Sequence, residues 1–128
     1  TAAALEFAVC ALKVSHIIIL GHSGCGGIKH GYHLYKNDKK NADLFFVNKW
    51  LRILKPAFSK LSLHSSDELE IEELEKTSIK ISIDNLIEFP FIKNELDKGT
   101  LSIHGLWHDI ASGNLEILDS ETMEFKSC

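Results

Sequence analysis

The sequence predicts an α/β domain: a mostly parallel sheet flanked by helices, with a C-terminal antiparallel hairpin. Three observations predict it. Helical and strand-like patterns alternate along the chain, an order that builds parallel sheets. The run "HIIIL", residues 16–20, is rich in β-branched residues and stops on a glycine-rich turn. Near the C-terminus two short apolar runs flank "SGN", residues 112–114, which punctuates a hairpin. At 128 residues the chain is read as one domain spanning 1–128, long enough to bury a core.

The elements follow in order. "TAAALEFAVCALKV", residues 1–14, carries Leu5, Val9 and Leu12 at helical spacing, backed by Ala4, Ala8 and Ala11. Such a face lies close against a sheet, and Cys10 on the same helix is read as core. "SHIIIL" is then a central strand covered on both faces. Five of the eight glycines fall between positions 21 and 31, and a short helix runs from Gly26 through Ile28 and Tyr32. The polar stretch "KNDKKNAD", residues 36–43, is a loop.

Leu44, Val47, Leu51 and Leu54 recur at helical spacing, and Pro56 bends or ends that helix. A long helix follows over residues 65–89, with Ser65 or Ser66 as N-cap and acids in the first turns, where the helix dipole favours them. Its acidic run, Asp67 to Glu75, reads as a solvated face with partners at Lys76 and Lys80. Pro90 and Gly99 bracket one more helix. "TLSIHGLWHDIA" and "LEILD" are strands, and "EFKSC" is a third along the edge. The first helix then serves as a crossover from a strand before Thr1. Two parallel strands are few for four helices, so the reading expects further sheet upstream.

Composition narrows the function. A net charge of -4 argues against nucleic acid or an anionic membrane as partner. No apolar run approaches the roughly 20 residues of a membrane span, and no signal-peptide pattern is visible. Three widely spaced cysteines, Cys10, Cys25 and Cys128, do not form a disulfide framework. A reducing compartment is expected, the cytoplasm by default with an organelle as the alternative.

The chemistry concentrates in "GHSGCGG", residues 21–27. Open α/β sheets place their sites at strand C-terminal ends. There His22 ends a strand and Cys25 begins a helix, whose N-terminus favours the thiolate. Imidazole and thiolate at this spacing suit zinc. Spacing alone also allows Cys25 as a small core hydrophobe with His22 bonded to a carbonyl. A phosphate cradle is the weaker alternative, because neither GxGxxG nor GxxxxGK[ST] is present.

"ALEFAVCALKVSHIIILGHSGCGGIKH", residues 4–30, resembles the second zinc-binding motif of the β-class carbonic anhydrases, GHxxCGG behind an S-[IL]-E-[YF]-A-V helix. The likeness continues through "NKWL" and through "NLIEFPFIKNELDKGTLSIHGLWHDIASGNLEIL". The resemblance implies a β-carbonic anhydrase-like fold lacking its N-terminal part, and zinc-dependent reversible hydration of carbon dioxide to bicarbonate and a proton. It makes His22 and Cys25 ligands of Zn2+. A second cysteine ligand and an Asp–Arg pair belong to an upstream C-x-D-S-R motif with no counterpart here, so the catalytic pair is expected before Thr1. Backbone at Gly26 and Gly27 lines the substrate end. Phe7 stands where the family often has a tyrosine lining the pocket across a subunit interface, with core packing as the alternative. The partners implied are carbon dioxide or bicarbonate and a second copy, in a homodimer or higher homo-oligomer. With two ligands, the chain alone is expected to bind metal poorly and to hydrate carbon dioxide barely.

Two other functions stay open at this stage: a non-catalytic scaffold that keeps the fold, and a redox or metal-binding protein using Cys25. His30 and His33 read as surface residues before metal ligands or proton shuttles, and His16 as a strand cap. His104 and His108 read as structural, and Trp107 as a core or interface anchor. Cys128 is read as a tail residue outside the site, and Ser23 lacks a nucleophile elbow.

Overall fold

The structure, a computed structural model, describes residues 2–37, 44–62 and 64–128. Most of the polar loop expected at 36–43 lies outside these. Helix α1 (Ala2–Glu6) runs into a π-helical turn (Phe7–Ala11), then strand β1 (His16–His22) and helix α2 (Gly26–Asn37). Next come α3 (Phe45–Trp50), a 3-10 turn (Leu51–Leu54), α4 (Lys55–Phe58), the long α5 (Asp67–Ile87) and α6 (Pro90–Asp97). Strands β2 (Ser102–His108), β3 (Leu115–Leu118) and β4 (Phe125–Ser127) complete the chain.

The four strands form one mixed sheet in the order β1-β2-β3-β4. Strands β1 and β2 are parallel, in register from His16 opposite Ser102 to His22 opposite His108. The hairpin β2–β3 and the edge pair β3–β4 are antiparallel. Gly113 at φ +78° turns the hairpin. The C-terminal hairpin and its edge strand therefore stand as the sequence patterns them.

Helix α5 fixes the geometry of the site. Ser66 caps it, its Oγ accepting the Leu69 N–H at 3.4 Å, with Asp67, Glu68 and Glu70 in the first turn. The helix packs on the sheet where two strand positions have no side chain. A Cβ on Gly21 would sit 2.7 Å from Ile79 Cδ1, and one on Gly105 would sit 2.9 Å from Ile79 Cγ2. Ile79 thus fills the space over both glycines, and a larger residue at either would force the Ile79 side chain to move. Two apolar clusters hold the layers together. One gathers Tyr32, Leu51, Leu54 and Leu74 between α2 and α5, and the other gathers Val9, Ile92 and Leu101.

Several expectations change. The sequence pattern predicts strand β1 covered on both faces, yet Ile18 and Leu20 are 60% and 62% exposed. Among the described residues, α5 packs on the face of Gly21 and Gly105, leaving the opposite face open. The first helix also departs from its apolar pattern. At the π-turn the Leu12 N–H donates to the Phe7 carbonyl at 3.1 Å, five residues back, which rotates the following residues off the predicted face. Val9 stays buried, whereas Leu12 is exposed and Cys10 is exposed rather than core. Pro56 stands in the first turn of α4, where the helical run from α3 through the 3-10 turn gives way to a new helix, as its expected bend or end allows.

The acidic run is not simply solvated, because Glu70 and Glu75 are both buried. Glu70 Oε2 accepts the Tyr32 hydroxyl at 2.6 Å and the Lys36 ammonium at 2.9 Å. Burial, and then the bond to Glu70, push the Tyr32 phenol up to about 12. Glu72 behaves as the pattern expects, pairing with Lys76 at 2.8 Å.

Candidate functional site

The parallel pair β1–β2 delivers two turns to the same end of the sheet. His22 is the last residue of β1 and is exposed. Its Nδ1 lies 3.0 Å from the Ser23 carbonyl oxygen. A carbonyl can only accept, so Nδ1 carries the proton and Nε2 keeps its lone pair for another partner. Cys25 is half-buried and sits immediately before α2, its carbonyl accepting the Lys29 N–H at 2.9 Å. Between them Gly24 takes φ +68°, a conformation that disfavours any residue with a Cβ. Gly26 and Gly27 form the first turn of α2, and a Cβ on Gly27 would meet the Trp50 ring at 3.3 Å.

The turn is clasped from behind by a residue that the sequence reading missed. Glu75 Oε1 accepts the Cys25 N–H at 3.0 Å, and Oε2 accepts the Trp107 indole N–H at 3.2 Å. Burial holds the Glu75 carboxyl above its ordinary range, against the lowering effect of those N–H donors and of His22. A signal was present in the sequence. Glu70, Leu74 and Ile79 recur at spacings of four and five, with Glu75 beside Leu74, so both acids share the apolar face of α5.

A second clasp joins the two strand ends. The Ser23 N–H continues the ladder to the His108 carbonyl at 2.9 Å. Ser23 Oγ donates to Asp109 Oδ1 at 2.8 Å and accepts the Ile110 N–H at 2.9 Å. Hydrogen bonds from Ser112 and then Ser23 hold the Asp109 carboxyl down at about 2. Ser23 is thus a structural hydroxyl, consistent with its lack of an elbow. Behind the turn, Gly24, Lys29, His33, Glu75 and Trp107 help to line a cleft of about 530 Å³.

The other candidates are dispersed. Phe7 lies on the π-turn and is 61% exposed, so it is not core. His30 Nε2 lies 3.3 Å from Asn48 Oδ1, and His33 packs edge-on to Tyr32. His16 does more than cap β1: its Nδ1 lies 3.1 Å from His104 Nε2 across the strand pair. Trp107 is buried at 4% exposure, as an anchor should be. Cys128 lies just past β4 and is exposed. Among the described residues, no group of three His, Cys, Asp or Glu side chains is arranged to hold a metal ion. His22 and Cys25 offer donors of the kind zinc prefers, imidazole and sulfur, but only two of the usual four.

Helices over a mixed sheet, with a histidine and a cysteine on the turn after a parallel strand, define an α/β protein with its candidate site at the strand ends. The family model for carbonic anhydrase matches residues 1–115, and the chain belongs to that family. Beta carbonic anhydrase 3 of Arabidopsis thaliana is 30% identical over 98% of this chain and 48% of its own length. The solved β-carbonic anhydrase CcaA superposes with a TM-score of 0.79 at 30% identity, over 99% of this chain and 57% of that one. A β-carbonic anhydrase of the ascomycete Sordaria macrospora, described as tetrameric, gives 0.78 at 26% identity, over 91% and 58%. The chain thus spans about half the length of these relatives. No helix among the described residues is long and apolar enough to cross a membrane.

Proposed function

We propose that this chain is the zinc-motif portion of a carbonic anhydrase that interconverts carbon dioxide and bicarbonate. One observation carries the reading: His22 and Cys25 stand on one clasped turn, and the Nδ1 bond leaves His22 Nε2 free to ligate. These two residues would hold Zn2+. Bound there, zinc supplies Lewis acidity, which makes water a nucleophile near neutral pH.

The chain's own groups have distinct tasks. His22 donates from Nδ1 to the Ser23 carbonyl, so Nε2 is the ring nitrogen that would face a metal. Cys25 supplies sulfur from the N-terminal end of α2. Gly26, where a Cβ would meet nothing within 4 Å, leaves backbone open beside the ligands and gives a small linear substrate room to approach, while Gly27 lies against the Trp50 ring. Phe7, exposed on its π-turn, is available to wall the pocket of a second copy in a homo-oligomer, as the tetrameric description of the Sordaria relative supports. No C-x-D-S-R stretch occurs in these 128 residues, so neither a second cysteine ligand nor an Asp–Arg pair comes from that motif.

Alkylation of Cys25 with and without zinc tests the ligand pair. Zinc is expected to slow modification of Cys25 in the parent chain and to have no such effect in His22→Ala. Fast alkylation in excess zinc would favour the reactive-thiol reading instead. Carbon dioxide hydration by the isolated chain is expected to stay near the uncatalysed rate, and turnover typical of the family would overturn the view that two ligands are insufficient.

A further inference from the structure

We infer that Glu75 is the positioning residue of the His22–Cys25 turn, an inference that rests on the metal reading above. Helix α5 buries two carboxylates five residues apart, at 4% and 3% exposure, and they are treated differently. Glu70 lies against the Lys36 ammonium at 2.9 Å. Glu75 is held instead by neutral N–H groups: the backbone of Cys25 from the turn, and the indole of Trp107. A buried carboxylate without a paired cation is costly, and an apolar residue would pack there more cheaply. Its place is explained by the shape of the turn.

Gly24 turns the chain at φ +68° directly before Cys25, and the Glu75 carboxylate receives the Cys25 N–H that follows the turn. Both of its oxygens are acceptors, so it holds Cys25 with one and Trp107 with the other. An amide cannot do both, since its NH2 would face a donor. The carboxylate thereby ties the turn to α5 and β2, and sets where the Cys25 sulfur stands relative to His22.

The test compares Glu75→Gln with Glu70→Gln, two near-isosteric changes at buried sites on one helix. Both are made in a Cys10→Ser, Cys128→Ser chain, so that Cys25 is the one thiol. Co2+ is titrated by its thiolate charge-transfer absorption, and amide hydrogen exchange is followed at Cys25. Glu75→Gln is expected to weaken Co2+ binding about 10–100-fold, the usual effect of losing a group that orients a ligand. It should also speed exchange at this amide more than across α2, whereas Glu70→Gln moves neither reading. Glu75→Asp, which keeps two acceptor oxygens, should recover part of both, and it replaces the Gln variant if that chain does not fold. Equal effects from the Glu70 and Glu75 variants would reduce Glu75 to a structural residue and overturn the inference. If the parent chain shows no thiolate–cobalt band, the metal reading fails by itself. Amide exchange then decides the role of Glu75, and unchanged exchange at Cys25 overturns it.

Discussion

Glu75 accepts the backbone N–H of Cys25 at 3.0 Å although 50 residues of sequence separate them. This bond joins the middle of α5 to the turn that carries the candidate ligands. It forms because Gly21 and Gly105 let α5 approach the sheet, with Ile79 packed over both. Close packing of helix on sheet is therefore a condition for the geometry of the turn, so changes in the layer behind the site should register at the site.

Trp107→Phe tests that connection from the β2 side. The substitution keeps an aromatic ring in the core and removes the indole N–H that Glu75 Oε2 accepts at 3.2 Å. A buried acceptor losing its donor costs about 1–3 kcal/mol. The urea midpoint should fall accordingly, with the denaturant dependence unchanged. An unchanged midpoint would mean that this bond contributes nothing to the fold.

Gly24 isolates the backbone requirement. A Cβ there would meet nothing within 4 Å, so substitution costs conformation alone. Gly24→Ala at φ +68° should destabilise the chain by about 1–2 kcal/mol. Asn tolerates this region better, so Gly24→Asn should lie between the two in thermal denaturation. Equal stability of all three chains would show that the turn does not need a left-handed residue.

Acid should loosen the opposite clasp. The folded-state pKa of Asp109 is depressed to about 2 from an ordinary 3.8, so its ionised form favours the folded chain. That contribution is full above about pH 4 and is lost as the pH falls toward 2. Ser23→Ala removes one of the bonds responsible and should raise the Asp109 pKa, measured by carboxyl NMR titration. An unshifted titration would separate Ser23 from the low value.

Much of this arrangement is legible in the sequence, for reasons visible in particular residues. The strand "HIIIL", the Ser66 cap, Pro90 and the hairpin at Gly113 are local signals, each satisfied within a few residues of itself. The pair His22 and Cys25 is legible because its spacing is local too. Glu75 is not, because its partners lie on a different strand and turn, and an acid in an acidic run reads as solvated. The π-turn at Phe7–Ala11 breaks a regular 3.6-residue pattern without any marking residue, which is why Cys10 and Leu12 face outward. The open face of β1 depends on which layers cover it, and that is a tertiary fact.

The account stands on His22 and Cys25 sharing one divalent cation. X-ray absorption at the zinc edge, on the chain loaded with at most one equivalent of zinc, reads that directly. The first shell is predicted to contain imidazole nitrogen and sulfur, with the sulfur lost in Cys25→Ser and the imidazole lost in His22→Ala. A first shell identical in the parent and both variants would place zinc elsewhere on the chain and contradict the account.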